Sequence, residues 1–201
     1  AALDLAAYAA QLRQRIEAEV SGFSPDPIER AQRIATATQD FRVFVQSYFP
    51  HYIRSPHESE LHRYLFARLP EIVGSEKGEA DAIAAPRGEA KSTLVSQLFV
   101  LWCLVTGRKR YPVIVMDSID QAYPMLEAIK AELEFNPRLM MDFPEACGQG
   151  RVWQAGAIVT RNDAKVQVAG GAGGKAGNYF HNVSKNRPEL GLGQGQSKAR
   201  V

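Results

Sequence analysis

The chain has 201 residues, 45% of them hydrophobic and 23% charged, with a formal net charge of +2. That length suits one α/β domain with a real core and a helical appendage, and so slight a positive charge excludes a strongly basic nucleic-acid binder. No apolar run is long enough to cross a bilayer and no charged-then-apolar leader opens the chain, so a soluble protein with a cytosolic address is expected.

Leu5, Ala9, Leu12, Ile16 and Val20 recur at three- and four-residue steps, which predicts an amphipathic helix over 3–20 that Ser21-Gly22 ends. Its apolar stripe is expected to pack on the core in cis, with a partner surface as the alternative. Asp26 as N-cap, Pro27 at the first helical position and Glu29 as the capping-box carboxylate start a second helix running towards Val45. Ile34, Thr38, Phe41 and Val45 form its buried face, and Pro50 breaks the chain inside the cluster Tyr48, Phe49 and Tyr52. Those aromatics read as core, since aromatic clusters between helices bury apolar area. Ser55, Pro56 and Glu58 repeat the cap pattern ahead of a third helix with Leu61, Leu65 and Leu69 on one side. His57 and His62 are five residues apart, off one helical face, which argues against a metal pair.

A polar, glycine-containing loop over 71–80 leads to a strand over 82–85, then to Pro86-Arg87-Gly88-Glu89-Ala90-Lys91-Ser92-Thr93 and an amphipathic helix. Small residues let backbone N–H groups approach phosphate oxygens, a lysine reaches the β and γ phosphates, and a hydroxyl ligates Mg²⁺. Gly88, Ala90, Lys91 and Ser92 supply these in order, with Ala85 and Ala90 standing where the usual pattern has glycines. A methyl at the second position is tolerable only at a negative φ, so Gly88 is expected to take the unusual backbone angle.

Leu94, Val95, Leu98, Phe99, Trp102 and Val105 give the next helix a broad apolar face, with Gly107 as C-cap and the cationic Arg108-Lys109-Arg110 beyond it. Tyr111 to Asp117 reads as a buried parallel strand. Ser118 and Gln121 form a capping box for a helix whose Ala122, Met125, Leu126, Ile129 and Leu133 face the core until Asn136-Pro137 stops it. Ala157–Thr160 and Ala164–Val168 form a hairpin around Arg161-Asn162-Asp163, and the glycines at 170–174 follow as a mobile loop or connector. Cys103 and Cys147 fit neither metal spacing nor a disulfide framework and are expected to be free thiols.

The loop at Pro86 to Thr93 resembles the Walker A sequence of bacteriophage large terminase subunits, the ATPases that package viral DNA into procapsids. Tyr48 to Tyr52, Pro56 to Leu65, Val113 to Asp117, Gln121-Ala122, Ile129 to Leu139, Asp142 to Cys147 and Val152-Trp153 are similar too, so the likeness spans roughly 40–190. It implies a P-loop NTPase fold with a mostly parallel sheet flanked by helices, arranged as a helical segment over 1–70, an ATPase core over 71–190 and a flexible tail over 191–201. It further implies ATP held by residues 86–93, catalytic roles for Lys91 and Arg87, and Mg²⁺ on Ser92. Double-stranded viral DNA, a portal protein and a small terminase subunit would be partners, in a possible ring homo-oligomer away from any membrane, in the bacterial host cytoplasm.

Arg187-Pro188-Glu189-Leu190 matches the approach to the family's Walker B strand, but residues 191–201 bring neither an apolar strand nor a carboxylate. The catalytic acidic pair and the nuclease domain of the family therefore have no counterpart in these residues, and nucleotide binding is expected to exceed hydrolysis. A non-catalytic docking module is the second reading, and a helicase-like P-loop ATPase using Asp117 as its Walker B carboxylate is the third.

Overall fold

A computed structural model describes residues 4–55, 57–86 and 88–170. The glycines at 171–174, the Arg187–Leu190 segment and the tail at 191–201 lie outside the described residues. Among the described residues the architecture is α/β, with seven α-helices and a mixed four-stranded sheet. No described helix is long and apolar enough to cross a membrane.

Helix α1 (Leu5–Glu19) is capped by Asp4, whose carboxylate accepts from the Ala6 and Ala7 N–H groups. Its Ile16 and Val20 bury against Ala131 of the long helix α6 (Ile119–Phe135), so the stripe packs in cis. Asp26 caps α2 (Pro27–Gln39) as its sequence grammar predicts, accepting from Ile28 and Glu29. The single helix expected to reach Val45 is instead two, because Asp40 leaves helical angles and caps α3 (Phe41–Tyr48) by accepting from Val43 N–H. A capping carboxylate inside a helical pattern competes with helix continuation, and here it wins. The same rule shifts the next start: Ser59, not Ser55, caps α4 (Glu60–Gly74) after a 3₁₀ turn at Pro50–Tyr52.

The expected strand at 82–85 does not form. Alanine supplies three of its four side chains, which gives little cross-strand surface. The Ile83 carbonyl accepts from the Lys91 ammonium at 3.2 Å, so a side chain engages a carbonyl that a ladder would have used. Strands β1 (Val113–Met116), β2 (Val152–Trp153), β3 (Ala157–Val159) and β4 (Lys165–Gly170) lie in the order β1-β4-β3-β2. β1 and β4 are parallel, with Val113 opposite Gln167, whereas β4–β3 and β3–β2 are antiparallel. The sheet is mixed rather than mostly parallel because the β3–β4 hairpin and the β2–β3 pairing each supply an antiparallel ladder. Its turn is as expected, with Thr160 and Ala164 exchanging backbone and hydroxyl bonds around Asp163 at φ 62°.

After Lys91 and Ser92 the chain winds through a π-helical stretch, Thr93–Leu98, into α5 (Phe99–Val105). Phe99 N–H reaches back to the Leu94 carbonyl, one residue further than in an α-helix. Gly107, at φ 69°, follows the end of this run. Helix α6 starts at Ser118 without a side-chain cap bond, so the capping box read from Ser118 and Gln121 is not made; Gln121 and Ala122 N–H bond the Ser118 carbonyl instead. Asn136 ends α6 and caps α7 (Pro137–Asp142) through its side-chain oxygen.

One core joins these layers: Phe41, Phe44, Tyr48 and Phe49 from the helical side meet Trp102, Leu104, Ile114 and Leu126. Asp142, fully buried at its side chain, accepts two bonds from Arg33 at 2.7 and 3.0 Å and one from Tyr48 at 2.6 Å. That carboxylate fastens α2 and α3 to α7. Burial raises the Tyr48 phenol far above its ordinary pKa, and the bond to Asp142 adds to the shift.

Candidate functional site

The turn ahead of the π-helical stretch has two described residues at left-handed angles, Gly88 at φ 95° and Ala90 at φ 51°. Nothing lies within 4 Å of a Cβ placed on Gly88, so glycine is needed there for its angle rather than for space. Ala90 corrects the expectation of a negative φ. Its carbonyl accepts from Leu94 N–H at 2.9 Å, and the preceding carbonyl, of Glu89, bonds His62 Nε2 at 2.9 Å. With both carbonyls held, the left-handed region is the solution the chain adopts, at a cost of about 1 kcal/mol for an L-residue. Gly88 and Ala90 flank Glu89 in a tight turn before a helical run, a setting in which backbone N–H groups can converge on an anion.

A cavity of about 430 Å³ lies at this turn, lined by Ala85, Pro86, Gly88, Glu89, Ala90, Lys91, Ser92 and Thr93. A larger one, about 1090 Å³, opens between the same loop and the helical segment. Arg15, Arg42, Arg54 and Arg63 line the larger cavity against Glu58 and Glu89, which makes its wall predominantly cationic. Gly88, Glu89, Ala90 and Thr93 line both. Lys91 is half-buried with its ammonium on the Ile83 carbonyl, and Ser92 is exposed. Arg87 lies outside the described residues.

Behind the loop, the buried Gln97 amide of the π-helical stretch donates to Tyr52 Oη at 2.6 Å. The Arg15 guanidinium lies 5.2 Å from the Tyr52 ring centre and donates to the His51 carbonyl. His51 Nε2 meets Glu132 Oε1 at 2.7 Å with both side chains fully buried, and Asn136 donates to the second Glu132 oxygen at 2.8 Å. Burial raises the Tyr52 phenol well above its ordinary pKa, and the neighbouring Glu132 charge adds to it. Loop, π-helical stretch, 3₁₀ turn and α6 are thereby tied by polar contacts inside an apolar core.

The residues fit a polyphosphate: a small-residue nest, a lysine beside it and the start of a helical run. For Mg²⁺ they offer the Ser92 hydroxyl, and no cluster of three histidine, cysteine or acidic side chains exists among the described residues. Asp117 is exposed at the end of β1. Tyr48 and Phe49 are fully buried core, whereas Tyr52 is half-buried and lines the larger cavity. Cys103 and Cys147 are free and buried, and burial pushes both thiols up to about 12. The residues that sequence reasoning missed are His62, Gln97 and the His51–Glu132 pair, whose partners stand 27 to 81 positions away without a local pattern to announce them. No protein-family model, curated protein or solved structure matches the chain.

Proposed function

We propose that the chain binds ATP through residues 86–93 and is the ATP-binding portion of a bacteriophage large terminase subunit, within a P-loop NTPase fold. The observation that carries the nucleotide reading is the backbone of the loop. Gly88 and Ala90 take left-handed angles immediately before the helical run that Lys91 opens. The terminase assignment rests on the sequence resemblance around that loop.

In this reading the backbone N–H groups of the turn bind phosphate oxygens, and Lys91 exchanges the Ile83 carbonyl for phosphate charge. Arg87 would add charge at the same anion. Bound Mg²⁺ would screen the phosphates, with Ser92 as its protein hydroxyl. The larger cavity has room for the nucleoside beside the shared loop wall. Viral DNA, portal protein and small terminase subunit are the partners this assignment brings with it. Nucleotide binding is the property assigned to the loop at residues 86–93.

Thermal unfolding with and without an ATP analogue and Mg²⁺ tests the reading on the wild-type chain and on Lys91→Ala. Ligand at roughly a hundred times its dissociation constant adds about 2.7 kcal/mol to a folded state that binds it. A shift in the wild type that disappears in Lys91→Ala is the expected outcome. Equal curves for both proteins would overturn the assignment. The docking-module reading loses one of its proposed surfaces to the burial of Ile16 and Val20 against α6.

A further inference from the structure

We infer that His62 is a positioning residue for polyphosphate binding: through the Glu89 carbonyl it aims the Ala90 N–H into the loop. The inference rests on the phosphate-loop reading and adds to it a residue from outside the motif, on a different helix. His62 Nε2 lies 2.9 Å from the Glu89 oxygen. A carbonyl only accepts, so that ring nitrogen carries the proton, in the neutral ring and in the cation alike.

The peptide between Glu89 and Ala90 is planar and trans, and its C=O and N–H therefore point in opposite directions. Holding the oxygen on one side fixes the hydrogen on the other. Because His62 holds the Glu89 oxygen, the Ala90 N–H across the planar peptide is turned away from the His62 side of the loop. The platform is itself anchored. Ser59 caps α4 by accepting from His62 N–H at 3.2 Å, and Arg68, two turns further on, pairs with Asp81 at 2.8 Å ahead of the loop. Helix α4 thus grips the chain ahead of the turn and within it, and His62 is the grip that touches the cradle peptide.

Titration with ATP plus Mg²⁺, and separately with inorganic tripolyphosphate, is compared for wild type, His62→Phe, His62→Gln and Lys91→Ala. Each is titrated well below its own unliganded melting temperature, so that all are folded. His62→Phe keeps a flat ring without a donor, and His62→Gln restores an amide N–H of similar reach. Expected is a loss of roughly tenfold or more in His62→Phe for both ligands, recovered largely in His62→Gln. Tripolyphosphate must report the loss as ATP does, because it meets only the cradle. His62→Phe binding both ligands like the wild type, while Lys91→Ala fails, overturns the inference and leaves the loop reading standing. His62→Gln as weak as His62→Phe also overturns it, because the donor would then be irrelevant. Binding unaffected by Lys91→Ala overturns the loop reading and this inference with it.

Discussion

Ala90 has a methyl group where the backbone is left-handed, at φ 51°, while its neighbour Gly88 meets the same demand with no side chain. Ala90→Gly should therefore stabilise the protein by about 1 kcal/mol, against the usual cost of placing glycine in a structured segment. Urea unfolding would show it as a higher midpoint at unchanged slope, and a lower midpoint would mean that the alanine is not strained. The proposed ATP-dependent stabilisation should survive this substitution, since the loop's angles are those glycine prefers. The turn at Gly88 was legible because the glycine, Lys91 and Ser92 are local and nearly contiguous. The angle at Ala90 was not, because it is imposed by two carbonyl contacts, one of them from His62 on a helix 27 residues earlier.

Helices α2, α3 and α7 meet at the Asp142 carboxylate, which is buried and receives Arg33 and Tyr48. Asp142→Ala should cost about 3 kcal/mol or more, because it leaves the Arg33 guanidinium and the Tyr48 hydroxyl without their acceptor. Arg30, nearly half exposed and 3.4 Å from the same carboxylate, should cost under about 1 kcal/mol when changed to alanine. Chemical denaturation of the two variants checks the contrast, and equal losses would show that Asp142 acts through packing alone. At this scale the sequence reading succeeded where signals were strong and nearby: Asp26-Pro27 at the start of α2, the apolar face of α6, the hairpin around Asp163. It failed where one residue can serve two elements. Asp40 lies within the helix expected to run towards Val45, yet its carboxylate caps a new one. The run at 82–85 reads as a strand by its neighbours, yet strand formation depends on a ladder partner that periodicity does not supply. The π-helical stretch was equally hidden, since Gln97 has to find Tyr52 across the fold.

Across the whole molecule the apolar core encloses two thiols, Cys103 and Cys147, from different layers, and both are pushed from an ordinary value of 9.0 up to about 12 by burial. A folded-state pKa above the unfolded one means that the folded chain holds its protons more tightly. The stability this contributes is complete below pH 9 and is lost as pH rises towards 12, where the unfolded thiols ionise first. Each thiol should remove about 1.4 kcal/mol per pH unit in that window, and the two together roughly twice that. Tyr48 and Tyr52, both raised mainly by burial, add losses of the same sign from about pH 10 upwards. Against a typical domain stability of about 5–15 kcal/mol, these terms are large enough to unfold the protein in alkali, whereas they vanish near neutrality. Urea unfolding from pH 8 to 11 measures the slope directly. Cys103→Ala and Cys147→Ala should each lower the stability at pH 7 through the space they leave, yet each should flatten the alkaline slope by about one proton. A double variant with the wild-type slope would mean that the thiols titrate normally in the folded chain and that the core does not seal them. The expected flattening would place both cysteines inside one cooperative unit spanning helices and sheet.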